Sequence, residues 1–206
     1  MNFITGYEIA EKIMLKTQGC KNERERAEAL GIEVLTYDLG NLKSMYSSAD
    51  RHRTIYVNKK LCGPEYEFVM DHEIGHDQIP AHRRMARNSP MREIQFFGED
   101  YMRNWTEHEA NIIAAHLYID EDELKDYLLY EKRDIFSVSS LLKAPLDLTL
   151  IKLQEMVRAD RIDQRFKNID IPADFRCIKD CVTYTFPAIN LCIATSKRII
   201  RSYVSA

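Results

Sequence analysis

The N-terminal part of the chain combines two helical patterns with three strand-like runs. Apolar residues recur at helical spacing over residues 5–17 and predict a short amphipathic helix. A second helix is predicted from Glu23 to Leu30, because Asn22 is a favourable N-cap and Gly31 a favourable stop. Runs rich in β-branched and aromatic residues then predict three strands, over residues 32–37, 43–48 and 53–57.

Helical periodicity dominates the middle of the chain. Pro64 suits the first turn of a helix, which should end near Ile79, because a residue before proline is disfavoured in helical geometry. Residues 81–104 are polar and basic at first and aromatic later, which predicts a long surface excursion with room for a short helix. Further helices are predicted over residues 107–118, 121–132, 137–143 and 148–158. These elements predict an α+β fold, in which a small three-stranded antiparallel sheet packs on a helical body.

The C-terminal part has a different character. From Arg176 onward, residues 182–186 and 189–194 have the composition of strands. The sequence therefore predicts a main domain over residues 1–160 and a C-terminal extension over residues 161–206, which is β-rich and packs on the core.

Composition narrows the class of protein. The 206 residues are 45% hydrophobic and 30% charged, as in ordinary globular proteins. A net charge of -3 argues against direct nucleic-acid binding, and no apolar run approaches membrane-spanning length. The five cysteines include no C-x-x-C pair, and no secretory signal is visible, so a cytoplasmic location with reduced thiols is expected.

One motif carries recognisable chemistry. His72-Glu73-Ile74-Gly75-His76 has the form H-E-x-x-H, which is typical of zinc hydrolases. Histidines four residues apart share one face of a helix and can bind the same metal ion. Glu73 then lies beside the metal, where it can take a proton from water.

The residues alone leave the third metal ligand open between two candidates. His82 has the spacing of a known three-histidine pattern, but Ile79 and Pro80 stand where that pattern needs a glycine turn. Glu109 lies on a later predicted helix that can pack on the motif helix. Thr106 and Glu109 also form a capping-box pattern, which would explain this glutamate without a metal.

Three segments, taken in order, resemble the ImmA/IrrE family of metallopeptidases. They are Arg53–Asn58, Phe68–His76 and Glu107–Ala115, and the resemblance extends over about residues 8 to 130. Asp71 departs from the alanine usual in the family, and Pro80 stands where a histidine is common. These departures leave the metal ligands in place and bear on the shape of the substrate cleft.

The resemblance implies a zincin-like core with zinc on His72, His76 and Glu109, and with Glu73 as the general base. Manganese is a second possible metal, since histidine and glutamate bind both ions. The implied activity is site-specific cleavage of a regulatory protein, such as a helix-turn-helix repressor of a phage or mobile element. A non-cleaving module that inhibits a repressor or toxin by contact is the alternative.

Substrate recognition is less constrained by the sequence. The strand over residues 53–57 is expected at the edge of the sheet, where it can pair with an extended peptide. Candidates for contact with the substrate or its oxyanion are His82, Tyr101, His108 and His116.

Overall fold

A computed structural model describes residues 5–49, 52–88 and 105–162 of the chain. The strands predicted over residues 182–186 and 189–194 lie outside this described part, as does Tyr101. The proposed boundary near residue 160 therefore stays a prediction.

The first two helices begin and end where local chemistry predicts. Helix α1 spans Gly6–Lys16, and Thr5 caps it in a capping box with Glu8. Helix α2 spans Glu23–Ala29, and the Asn22 side chain accepts a hydrogen bond from the backbone N–H of Glu25. These contacts confirm both predicted helices.

The three strands form a mixed sheet, which corrects the antiparallel sheet predicted. Strands β1 (Glu33–Tyr37), β2 (Ser44–Ala49) and β3 (His52–Asn58) lie in the order β1-β3-β2. Strands β2 and β3 pair antiparallel, whereas β1 pairs parallel with β3. Strands β1 and β2 run in opposite directions and lie on opposite sides of β3. Strand β3 is therefore antiparallel to β2 and parallel to β1. Strand β3 is thus central, and the prediction that residues 53–57 lie at an edge was wrong.

Two helices that pack closely form the centre of the molecule. Helix α3 spans Gly63–Gln78 and helix α5 spans Trp105–Tyr118. A Cβ atom added at Gly75 would lie 3.1 Å from both the Cα and the carbonyl oxygen of Ala110. Glycine at this position therefore allows the two backbones to approach each other.

A further helix follows α3 almost at once. Helix α3 ends at Gln78, its C-cap Ile79 has an extended backbone, and α4 spans Pro80–Asn88. The predicted end of α3 is confirmed. The short helix allowed for within residues 81–104 is present as α4. Its His82 is buried, which differs from the surface position expected for this segment.

The remaining helices complete the α+β fold. They are α6 (Glu121–Lys125), a π-helical turn (Asp126–Tyr130), α7 (Ile135–Leu141) and α8 (Leu146–Arg158). Helix α5 lies between two hydrophobic clusters: Ile113 belongs to the one containing α1, α3 and the sheet, and Ile112 to the one containing α8. Among the described helices, none is both long and apolar enough to cross a membrane.

Candidate metal centre

Helix α3 places the two histidines of the motif on one face. The Nε2 atoms of His72 and His76 lie 3.0 Å apart, and the two rings meet edge to face. Their spacing of one helical turn accounts for this convergence, as the motif predicts.

Glu107 of helix α5 faces both histidines. Its Oε2 atom lies 3.0 Å from Nε2 of His72, and its Oε1 atom lies 3.0 Å from Nε2 of His76. The Glu107 residue is only 3% exposed. Within the described part of the chain, His72, His76 and Glu107 offer ligand atoms that all lie within 4.8 Å of one another, so this group could hold a metal ion.

The structure does not bring Glu109, which the family resemblance implied as the third ligand, into this group. The Glu109 carboxylate lies 3.1 Å from Nε2 of His82 instead. Residues two apart on a helix point in nearly opposite directions, so Glu107 and Glu109 cannot face the same histidines. The capping-box explanation also differs from the structure, because α5 already includes Trp105 and Thr106 therefore lies within the helix.

Strong electrostatic coupling links Glu107 to the histidines. Burial disfavours a charge on His72, but the hydrogen bond and the charge of Glu107 outweigh it and raise the pKa of His72 to about 9. Burial likewise opposes the Glu107 charge, yet hydrogen bonds from both imidazoles hold the pKa of this carboxyl far below its ordinary value. The site is therefore built around a buried carboxylate that needs a positive partner, a role that a bound cation can fill.

Each of the two histidines also makes a hydrogen bond through Nδ1, the ring nitrogen that does not face Glu107. His72 Nδ1 lies 2.8 Å from Oδ1 of Asn111, and His76 Nδ1 lies 3.1 Å from Nδ1 of His82. The Nε2 atoms of both rings are consequently directed at Glu107. Two imidazole nitrogens and a carboxylate form the donor set that catalytic zinc sites use.

Glu73, the predicted base, is buried and has a defined hydrogen-bond partner. The Ser44 hydroxyl, at the start of β2, donates a hydrogen bond of 2.6 Å to Oε1 of Glu73. The Glu73 side chain does not belong to the group of converging ligand atoms, although it stands next to His72 in the sequence.

Two buried aspartates anchor α3 to its neighbours. Asp71 forms an ion pair with Arg26 of α2, and burial raises the pKa of this carboxyl to about 7 despite the arginine. Asp77 pairs with Arg53 of β3 at 2.8 Å and accepts a hydrogen bond from Tyr46 of β2 at 2.7 Å. Asp71, which departs from the family pattern, thus ties the motif helix to α2.

The other residues predicted to contact the substrate differ in how close they lie to the metal-binding group. His82 adjoins the site through His76, as described above. His116 lies away from it, with its Nδ1 atom 2.9 Å from Nζ of Lys152 and its ring against Tyr7. His108 is half-buried, and burial together with the charge of Arg158 lowers its pKa to about 4.

Sequence reasoning missed three residues of the site: Ser44, Glu107 and Asn111. A usable signal existed for two of them. Glu107 and Asn111 are four residues apart and therefore share one helix face with Ala114. The small residue Ala114 indicates that this face packs on another helix. A carboxylate and an amide on a packed face indicate a buried polar site.

A pocket adjoins His72 between α3, α5 and α8. Its walls are mainly apolar, and they are formed by Lys43, Phe68, Val69, His72, Asn111, Ala114 and Leu148.

Comparison with known proteins identifies the family of this chain. The sequence profile of the Peptidase_M78 family, described as the IrrE N-terminal-like domain, matches residues 27–154. A protein of Bacillus phage phi105 named "Uncharacterized immunity region protein 2" is 30% identical over 116 residues, which are 55% of this chain and 68% of the phage protein. The matched region contains the H-E-x-x-H helix, the sheet and α5. This chain belongs to the ImmA/IrrE family of metallopeptidase-like proteins.

Proposed function

We propose that this chain is a zinc-dependent endopeptidase that cuts a regulatory protein, such as a helix-turn-helix repressor of a phage or mobile element. The observation that carries the proposal is the convergence of His72, His76 and Glu107 within hydrogen-bonding distance of one another. Membership of a peptidase family supports the same chemistry.

The donor set fits a divalent metal. His72, His76 and Glu107 would hold it, which leaves a further coordination position for the reactants. When bound there, Zn²⁺ supplies Lewis-acid polarisation of a carbonyl and acidifies water. Mn²⁺ is compatible with the same ligands.

Glu73 is the residue we assign to proton transfer. Its carboxylate accepts the hydrogen bond from Ser44 on one oxygen, which fixes the orientation of the group. In this position Glu73 takes a proton from the attacking water and passes it to the leaving amine. Ser44 thus acts as a positioning residue for the base.

Two features are suited to a peptide substrate. Within the described residues, β2 pairs with β3 on one side only, and Ser44 at its start contacts Glu73. An extended peptide that paired with β2 on the side away from β3 would run towards the base. The pocket beside His72 would take an apolar side chain of that peptide against Phe68 and Leu148.

The regulatory substrate class is supported by the phage relative, whose name places it in an immunity region. We assign no direct contact with nucleic acid and no membrane association to this chain, and a cytoplasmic location follows from a cytoplasmic repressor as substrate. The net charge of -3 is in keeping with a protein substrate.

The first prediction tests the base. Glu73→Gln removes the proton acceptor but no metal ligand, so the variant should bind Zn²⁺ normally and cleave at least a hundredfold more slowly, the lower range for general-base catalysis. The assay incubates the purified chain with the product of the neighbouring gene, as the candidate repressor, with and without chelator. Glu67→Gln is the matched control on the same helix and should retain cleavage.

The outcome also separates the two functions considered. Fragments that disappear with chelator and with Glu73→Gln support the peptidase. A stable complex with uncut repressor, unaffected by Glu73→Gln, would replace the proposal with a binding module.

A further inference from the structure

The two residues that were candidates for the third ligand, His82 and Glu109, form a hydrogen-bond chain behind His76. Glu109 Oε2 lies 3.1 Å from His82 Nε2, and His82 Nδ1 lies 3.1 Å from His76 Nδ1. We call Glu109, His82 and His76 the support chain. It joins three helices, because Glu109 lies on α5, His82 on α4 and His76 on α3.

The direction of each hydrogen bond follows from the groups involved. A carboxylate only accepts, so His82 Nε2 must carry a hydrogen that it donates to Glu109. His82 is 5% exposed, and a neutral imidazole with its hydrogen on Nε2 has a lone pair on Nδ1. His76 Nδ1 must then be the donor to that lone pair.

This assignment determines what His76 presents to Glu107. The Nε2 atom of His76 lies 3.0 Å from the Glu107 carboxylate, to which it donates a hydrogen bond when no metal is bound. With the other hydrogen on Nδ1, loss of the Nε2 proton leaves a lone pair on Nε2 that can bind a metal ion. If His82 carried its hydrogen on Nδ1 instead, His76 would be forced into the opposite tautomer and could not offer Nε2 to a metal.

The first histidine of the motif, His72, makes its Nδ1 hydrogen bond with a single residue, Asn111. Asn111 Oδ1 accepts from His72 Nδ1 at 2.8 Å and fixes the same tautomer in that ring. The two supports differ in charge, because the chain behind His76 ends in a carboxylate. Such a carboxylate makes the ligating imidazole a stronger donor.

We propose that His82 and Glu109 are positioning residues, which hold His76 in the tautomer and ring orientation that a metal ion requires. The proposal rests on the metal-binding part of the proposed function. It assigns His82 and Glu109 a role behind the ligand rather than on the metal.

The test measures the affinity of the full-length, metal-stripped protein for Zn²⁺ by competition with a chromophoric chelator. His82→Phe removes the acceptor but keeps a ring, and should weaken Zn²⁺ binding by about 10- to 100-fold. His82→Asn places an amide oxygen near the position of Nδ1 and should restore most of the affinity. Glu109→Gln removes the charge and should weaken binding by about tenfold. His108→Phe, a half-buried histidine on α5, is the control and should bind as the wild type does.

A second readout does not depend on affinity. Nitrogen-15 correlation spectra of the zinc-loaded wild type should show the His76 hydrogen on Nδ1 and the His82 hydrogen on Nε2. A spectrum with the hydrogen of His82 on Nδ1 would overturn the proposal. So would a folded His82→Phe variant with an affinity within twofold of the wild type. If His82→Phe does not fold, unchanged affinity in Glu109→Gln overturns it.

Failure of the support chain and failure of the peptidase give different results. Reduced affinity in the variants, without cleavage by the wild type, supports the support chain and contradicts the peptidase. Cleavage by the wild type with equal affinity in all variants contradicts the support chain alone.

Discussion

Glu107 and Glu109 show how much depends on a shift of two residues along a helix. Each residue turns the helix by about 100°, so the two side chains point about 200° apart. Glu107 consequently meets His72 and His76, whereas Glu109 meets His82. The sequence could identify a helix with a glutamate but not its rotation about its own axis, which is set by packing against α3.

This difference predicts a ranking of two matched variants. Glu107→Gln removes a charged ligand atom from the site and should lower Zn²⁺ affinity by more than the 10- to 100-fold typical of an outer partner. Glu109→Gln should have the smaller effect. Chelator competition on both proteins measures the ranking, and a larger loss in Glu109→Gln would restore Glu109 as the ligand.

Helix α3 illustrates which features of an element are local. Pro64 and Pro80 mark its ends in the sequence, and both ends are confirmed by the structure. The burial of its polar residues does not follow from the helix sequence. Asp71 and Asp77 are fully buried beside the histidines. Each aspartate is tolerated because an arginine from α2 or β3 pairs with it. Partners so distant in sequence cannot be identified from the helix alone.

The same limit explains the errors in the sheet and in α4. Alternation of residues predicts that a strand exists, but the order β1-β3-β2 depends on which strands meet in three dimensions. The basic residues of α4 suggested a surface segment. Its one buried histidine, His82, is explained by the contact with His76 and not by any periodicity.

Close contact between α3 and α5 predicts an unusual response to substitution at Gly75. Glycine to alanine inside a helix ordinarily stabilises it by about 0.5–1 kcal/mol. Here the new Cβ would meet backbone atoms of Ala110 at 3.1 Å, so we expect Gly75→Ala to destabilise the protein by about 1–3 kcal/mol. The helices would also separate, and Zn²⁺ affinity should fall. Thermal unfolding and chelator competition measure both effects; a raised melting temperature would contradict the close packing.

At the scale of the whole molecule, helix α5 contacts both hydrophobic clusters and the candidate metal site. Ile113 packs in the cluster with the sheet, and Ile112 and Ala115 pack in the cluster with α8. Glu107 and Asn111 on the same helix contact the histidines. The position of Glu107 is thus fixed by both clusters, and sequence periodicity alone predicts neither of these long-range contacts.

Away from the site, His116 makes the stability of the molecule depend on pH. Burial, followed by the charge of Lys152, lowers the pKa of His116 from 6.5 to about 3. Between these values the unfolded chain binds a proton that the folded chain does not, so stability is lost as the pH falls below about 6.5. From pH 7 to pH 5 this residue should lower the free energy of unfolding by about 2 kcal/mol.

His116→Asn tests this dependence, because its amide oxygen can still accept the hydrogen bond from Lys152 while the titrating group is gone. Urea unfolding with chelator present, at pH 7 and pH 5, should show a loss on acidification that is about 2 kcal/mol smaller than in the wild type. The exposed His52, changed to Asn, is the control. An equal loss in His116→Asn and in the wild type would mean that His116 is protonated in the folded protein. Its hydrogen bond with Lys152 would then be impossible, since two cationic donors would face each other.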